Sequence, residues 1–281
     1  MVRIITDTTA CIDWEYAKQH QIPVIPQIVT FGDQSFYEGI ELDNSAFMDR
    51  LRKSSALPKT AAPPPELFRR EFEKLIPSGE PILCLHPSIE VSGTVRSAVV
   101  AAQDFPSADI RIIDTRILAA PLLVLVKLAV TWAEAGDNID TIETRIRKLI
   151  PLSKIYFLVD TLEYLAKGGR IGGASALLGT ILQIKPILTV IDGRVESFEK
   201  QRTHSRAVTR LVELAQENYP KDGNGHLHVM HADARAEAEN LAQDLSSHLN
   251  LIDIPIIDLP PAIVVHGGPG ILALSFIADE G

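Results

Sequence analysis

Arg170 stands between two glycine pairs, Gly168-Gly169 and Gly172-Gly173, in a chain of 281 residues. A cation on backbone that glycine leaves unconstrained, where a strand gives way to a helix, is a place to hold an anion. The plainer alternative is that the glycines end a helix and the arginine pairs with a carboxylate of its own chain. A second anion candidate is the run His86-Pro87-Ser88-Ile89-Glu90-Val91-Ser92-Gly93-Thr94. Hydroxyls and a glycine just before a helix offer free N–H groups and the positive end of its dipole. Equally, Ser92 or Thr94 serves simply as the N-cap. Ser92, His266 and Asp7 have the residue types of a hydrolytic triad, yet Ser92 lies outside any GxSxG elbow. Of the eight histidines, none forms an HExxH pair or joins a CxxC. His226 and His228 alternate onto one strand face with His231 near its end, a weak metal signal, and no metal is expected. Neither a GxxxxGK[ST] loop nor a GxGxxG after the first strand is present, which removes the common nucleotide-binding motifs.

The elements that must position these residues alternate strand and helix. Strands are expected at 2–5, 24–29, 81–85, 110–113, 155–159, 187–191, 226–230, 254–259 and 263–265. Helices are expected at 44–53, with Phe47 and Leu51 inward, and at 66–75, 95–103, 139–149, 174–183 and 234–249. Asp192-Gly193 is a hairpin signal, and Asp13 is an N-cap candidate. The proline-rich run 57–65 is an ordered loop or extended segment. Residues 117–133 are apolar but interrupted by Pro121 and Lys127. They fall short of the ~20 residues of a membrane span, so a buried helix starting near Pro121 is expected. The class is α/β, as two α/β domains with largely parallel sheets, at 1–152 and 153–281. Polar turns after strands, at 6–9, 86–94, 114–115 and 266–270, are where such sheets gather ligands.

Composition narrows the partners. Hydrophobic residues make up 46% and charged residues 22%, ordinary for a globular chain. A net charge of −9 argues against nucleic acid, which needs a basic surface. Two cysteines, Cys11 and Cys84, make no disulfide framework and suit a reducing cytoplasm. No signal peptide and no integral membrane segment are expected.

Several motifs in order then resemble the DegV family, the fatty-acid-binding proteins that serve as the lipid-carrying subunit of bacterial fatty acid kinase. They are Ile4-Ile5-Thr6-Asp7-Thr8-Thr9, Lys59-Thr60, Ser92-Gly93-Thr94 and His266-Gly267-Gly268-Pro269-Gly270. Most specific are Leu162-Glu163-Tyr164-Leu165, Gly168-Gly169-Arg170-Ile171 and Ile184-Lys185-Pro186-Ile187-Leu188. The resemblance implies a non-catalytic protein with no cofactor, holding one long-chain fatty acid in an apolar tunnel with its carboxylate at the mouth. By resemblance Thr60, Ser92 and Thr94 belong to the hydroxyl loops at the carboxylate. Arg170 and His266 belong to the polar network around it, with Arg170 as a cation one layer back. Helices 117–130 and 174–184 would line the tail. Arg202 matches a basic position for docking a separate kinase subunit. The alternatives are a serine-dependent hydrolase of a small acyl or lipid substrate, and a lipid-transport or regulatory protein with no kinase partner.

Three departures from the family pattern stand out. Thr60-Ala61-Ala62-Pro63 replaces Thr-Ser-Gln-Pro, and Leu118-Ala119-Ala120-Pro121 lacks a glycine before the long helix. Gly267-Gly268 stands where a bulkier residue often follows the histidine, which is expected to loosen that loop.

Overall fold

The computed structural model describes residues 1–179, 184–221 and 223–278. The chain divides into two compact units, Met1–Pro151 and Leu152–Gly281, each described by itself.

The first unit is built on a four-stranded parallel sheet. Its strands are β1 (Arg3–Asp7), β2 (Val24–Ile25), β6 (Ile82–His86) and β7 (Ile110–Asp114), in the order β2-β1-β6-β7. A parallel sheet is covered on its faces, so its strands read as apolar runs; every residue of β6 is buried. Around it lie α1 (Trp14–Gln19), α2 (Asn44–Lys53), α3 (Pro65–Leu75), α4 (Thr94–Ala102), α5 (Ala120–Glu134) and α6 (Ile139–Leu149). Phe68 and Phe72 of α3 and Ala98 and Ala101 of α4 pack with Ile5, Ile82 and Cys84. A small antiparallel sheet of β3 (Ile28–Phe31), β4 (Gln34–Tyr37) and β5 (Lys59–Ala61) has the order β4-β3-β5. The proline-flanked β5 is an edge strand, where prolines cost no ladder hydrogen bond.

Two details here correct the sequence reading. The strand expected at 24–29 is two strands, β2 and β3, broken at Pro26-Gln27. Proline removes a ladder donor, and the chain leaves one sheet for another there. Neither Ser92 nor Thr94 is the N-cap of α4. That position is Gly93, with no side-chain cap bond, and Thr94 is the first helical residue.

The second unit holds a six-stranded sheet. Its strands are β8 (Ser153–Leu158), β9 (Lys185–Ile191), β10 (Arg194–Gln201), β11 (Gly225–Ala232), β12 (Ile256–Asp258) and β13 (Ile271–Ala278), in the order β10-β9-β8-β13-β11-β12. Among the described residues only β11 and β12 pair in parallel; the other pairings are antiparallel. Parallel pairing therefore dominates the first unit's main sheet and not this one. Asp192 (φ 51°) and Gly193 (φ 81°) close β9 onto β10, the positive-φ pair of the expected two-residue hairpin. Helices α8 (His204–Asn218) and α9 (Arg235–Leu249) set Leu211, Leu214, Leu241 and Leu245 on Leu227, Val229, Leu272 and Leu274.

The strand expected at 263–265 is a helix, α10 (Pro261–Gly267). Its β-branched residues suggested a strand, but Pro261 fixes the first-turn φ of a helix. The helix expected at 174–183 is instead a short 3₁₀ segment, Gly172–Leu177, following the five-residue α7 (Glu163–Lys167). Residues 180–183 of that expectation lie outside the described residues.

Candidate functional site

In the first unit the sequence's hydroxyl residues join a buried polar chain. Ser92 Oγ and Thr94 Oγ1 are 2.7 Å apart, and the Thr94 backbone N–H also reaches Ser92 Oγ at 3.2 Å. Thr94 is fully buried. Its Oγ1 accepts a hydrogen bond from Gln27 Nε2 at 2.9 Å. The same amide nitrogen donates to Asp7 Oδ1 at 3.0 Å. Asp7 Oδ1 further accepts from Thr9 N–H at 3.0 Å and Thr9 O–H at 2.6 Å, while Asp7 Oδ2 takes His86 Nδ1–H at 2.7 Å. The His86 ring stands edge-on to Phe68, which fixes its plane.

Thr60 lies on β5, paired with Val29 of β3. A Cβ built on Gly93 would stand 3.1 Å from the Ala62 methyl. The segment after Thr60 and the turn carrying Ser92 are therefore in close approach, and glycine permits it. Gln27 is not among the expected site residues; Asp7 is expected only in the triad grouping and His86 only as part of the run before α4. The signal for Gln27 was slight: one amide, directly after a proline, inside an otherwise apolar run.

In the second unit Arg170 follows α7 through a glycine closure. Gly169 has φ +70°; its N–H bonds Ala166 O at 3.1 Å, and Arg170 N–H bonds Leu165 O at 2.9 Å. A left-handed residue with this bond pair ends many helices. The Arg170 guanidinium donates to Gly168 O at 2.6 Å, and partial burial lowers its pKa from the ordinary value. The second glycine pair serves packing: a Cβ on Gly172 or Gly173 would strike the Val195 backbone or the Glu196 carboxylate.

His266 sits in the last turn of α10. Burial, reinforced by the charge of Arg170, pulls its pKa down to about 4. A Cβ on Gly168 would collide with the His266 ring, and one on Gly268, at φ +82°, with the Tyr164 ring. Gly267 and Gly268 are buried, and a Cβ on Gly267 would meet Ile271. The loosening expected of this loop is overturned: the glycines admit neighbours into contact.

The triad grouping of Ser92, His266 and Asp7 fails at Asp7, whose two oxygens are taken by His86, Thr9 and Gln27. His231 pairs with Asp258 at 3.1 Å. Among the described residues no group of three His, Cys, Asp or Glu side chains is arranged to hold a metal ion, and no helix is long and apolar enough to cross a membrane. Arg202 is exposed, beside Thr203, whose Oγ1 caps α8 by accepting Arg206 N–H at 3.2 Å.

Comparison with known proteins places this geometry in context. A family model described as "Uncharacterised protein, DegV family" matches residues 1–279. A DegV domain-containing protein of Streptomyces coelicolor is 37% identical over 278 residues, covering 97% of each chain. A DegV family protein from Thermus thermophilus, described as fatty-acid binding, superposes with TM-score 0.92 at 28% identity, covering 99% of each chain. A fatty-acid-binding DegV family protein from Streptococcus agalactiae has the same TM-score and identity, covering 100% of this chain and 99% of its own. With the family model spanning both units, the chain belongs to the DegV family.

Proposed function

We propose that this protein is a non-catalytic carrier of a long-chain fatty acid. The acid's carboxylate is held by Ser92, with Thr60 and Thr94 beside it, and its tail lies in an apolar tunnel. The observation that carries this reading is the Ser92–Thr94 hydroxyl pair, 2.7 Å apart, at the start of α4, in a chain whose structural neighbours are described as fatty-acid binding. A carboxylate leaving water needs donors that stay in place, and this pair is anchored from beneath by Gln27. Burying the tail contributes about 0.8 kcal/mol per methylene. Arg170 and the neutral His266 are proposed to contribute to head-group affinity.

Two features support binding over hydrolysis. Ser92 Oγ bonds a threonine hydroxyl and a backbone N–H, neither of which is a base. His266, with its pKa drawn down to about 4, is a weak base at neutral pH.

The test begins with purified protein, denatured and analysed by mass spectrometry for a co-purified fatty acid. Delipidated Ser92→Ala should then bind that acid more weakly by about 1–3 kcal/mol, the range for a hydrogen bond to a charged group. Protein that is always empty and has no acyl-chain affinity refutes the proposal. The carrier is further proposed to present its acid to a separate kinase that forms the acyl phosphate, with exposed Arg202 at the docking surface. Arg202→Glu should then abolish kinase-dependent acyl-phosphate formation and leave fatty-acid binding intact; full retention of product would remove Arg202 from the interface.

A further inference from the structure

The buried chain behind Ser92 has a direction. Asp7 Oδ1 already receives the Thr9 N–H and O–H, so the Gln27 group facing it must be the amide nitrogen and not the oxygen. That nitrogen gives its second proton to Thr94 Oγ1. Thr94 is fully buried, and the acceptor within reach of its single hydroxyl proton is Ser92 Oγ, at 2.7 Å. Ser92 Oγ thus receives the Thr94 O–H and, at 3.2 Å, the Thr94 N–H. Both its lone pairs are occupied, and its own proton remains to be given outward.

We propose that Gln27 is a specificity-determining positioning residue: anchored on Asp7, it orients Thr94 so that Ser92 only donates, selecting an ionised carboxylate over a neutral head group. This rests on fatty-acid binding as the function and names residues beneath the ligand that set its charge state. Gln27 is fixed for the task. It is 3% exposed, its N–H donates to Thr8 Oγ1 at 3.1 Å, and its C=O accepts the Glu38 N–H at 2.9 Å. Thr8 in turn donates to the Glu38 carboxylate. The Gln27 backbone is thereby held at both its N–H and its C=O, which fixes where the side chain starts, and hydrogen bonds in such a chain polarise one another.

Gln27→Glu reverses the direction with little change of shape. An oxygen would replace the nitrogen between Asp7 and Thr94. It can share one proton with Asp7 and then accept, where it formerly gave, the Thr94 proton. Thr94 would next accept from Ser92, whose other lone pair still takes the Thr94 N–H, leaving one Ser92 lone pair outward, which repels a carboxylate and suits a hydroxyl.

The experiment measures, on delipidated protein, the affinities for palmitate and for cetyl alcohol of the same chain length. Wild type should favour the acid. In Gln27→Glu the acid-to-alcohol ratio should fall by roughly tenfold or more, the scale of one hydrogen bond to a charged group. Thr94→Val should lower the ratio in the same direction, and Thr94→Ser should restore it. A purely structural role would weaken both ligands together and leave the ratio alone. An unchanged ratio in folded Gln27→Glu overturns the inference; should that variant fail to fold, an unchanged ratio in Thr94→Val does so. Wild type that binds neither ligand would instead refute fatty-acid binding itself.

Discussion

His266 titrates against folding. Its folded value of about 4 lies below the ordinary 6.5, so between these limits the unfolded chain binds a proton that the folded chain does not. Stability rises with pH wherever the unfolded state holds more protons. The contribution is complete above about pH 6.5 and is lost as the pH falls toward about 4, to a total of roughly 3 kcal/mol. His231, also lowered chiefly by burial, adds a loss of the same sign, so the comparison must be with a variant. Urea unfolding of wild type and His266→Gln at about pH 7 and about pH 5 isolates the residue: wild type should lose about 2 kcal/mol more than the variant. Equal losses would mean that His266 is protonated in the folded protein. At this scale the sequence shows residue types better than pairings. Ser92 and Thr94 are legible as hydroxyls before a helix. Asp7 and His86 are visible as polar residues at strand ends, but 79 positions separate them, and only the adjacency of β1 and β6 joins them. Gln27 is hidden by a mistaken continuity of strand.

Among the elements, α5 begins under strain. Ala119 precedes it at φ 59° and ψ −138°, a region that glycine enters freely and a Cβ does not. The conformation is held from both sides: Ala119 N–H bonds Thr9 O at 2.9 Å, and Leu123 N–H bonds Ala119 O at 3.0 Å. Ala119→Gly should relieve about 1–2 kcal/mol of backbone strain and restore about 0.5–1 kcal/mol of chain entropy to the unfolded state. The net expectation is a stabilisation of about 1 kcal/mol, read as a higher urea midpoint with an unchanged slope; a lower midpoint would show that the methyl's packing outweighs the strain. Proline position marks where element assignment from pattern fails. Pro26 breaks an apolar run that periodicity joins, and Pro261 starts a helix in a β-branched run that propensity reads as strand. Both errors come from giving side-chain pattern more weight than the φ that proline imposes. Where pattern and backbone constraint agree, as at α2, α6 and the Asp192-Gly193 hairpin, the elements are legible without the structure.

Across the whole chain, each unit carries what a domain requires. Met1–Pro151 has a parallel sheet with Phe68, Phe72, Ala98 and Ala101 packed on it. Leu152–Gly281 has its own six-stranded sheet beneath α8 and α9. The strand pairings of the two main sheets are each completed within one unit, so cutting between them opens no sheet edge. Both units also fall in the size range in which a single core sustains cooperative folding. Residues 1–151 expressed alone should therefore unfold in urea in a single transition, with circular dichroism and tryptophan fluorescence giving the same midpoint. The Gln27–Thr94–Ser92 chain lies wholly inside this piece, so the slow exchange expected of its buried Thr94 amide should persist in the fragment. A fragment with a broad, probe-dependent transition, or with a fast-exchanging Thr94 amide, would mean that the second unit is needed to order the first.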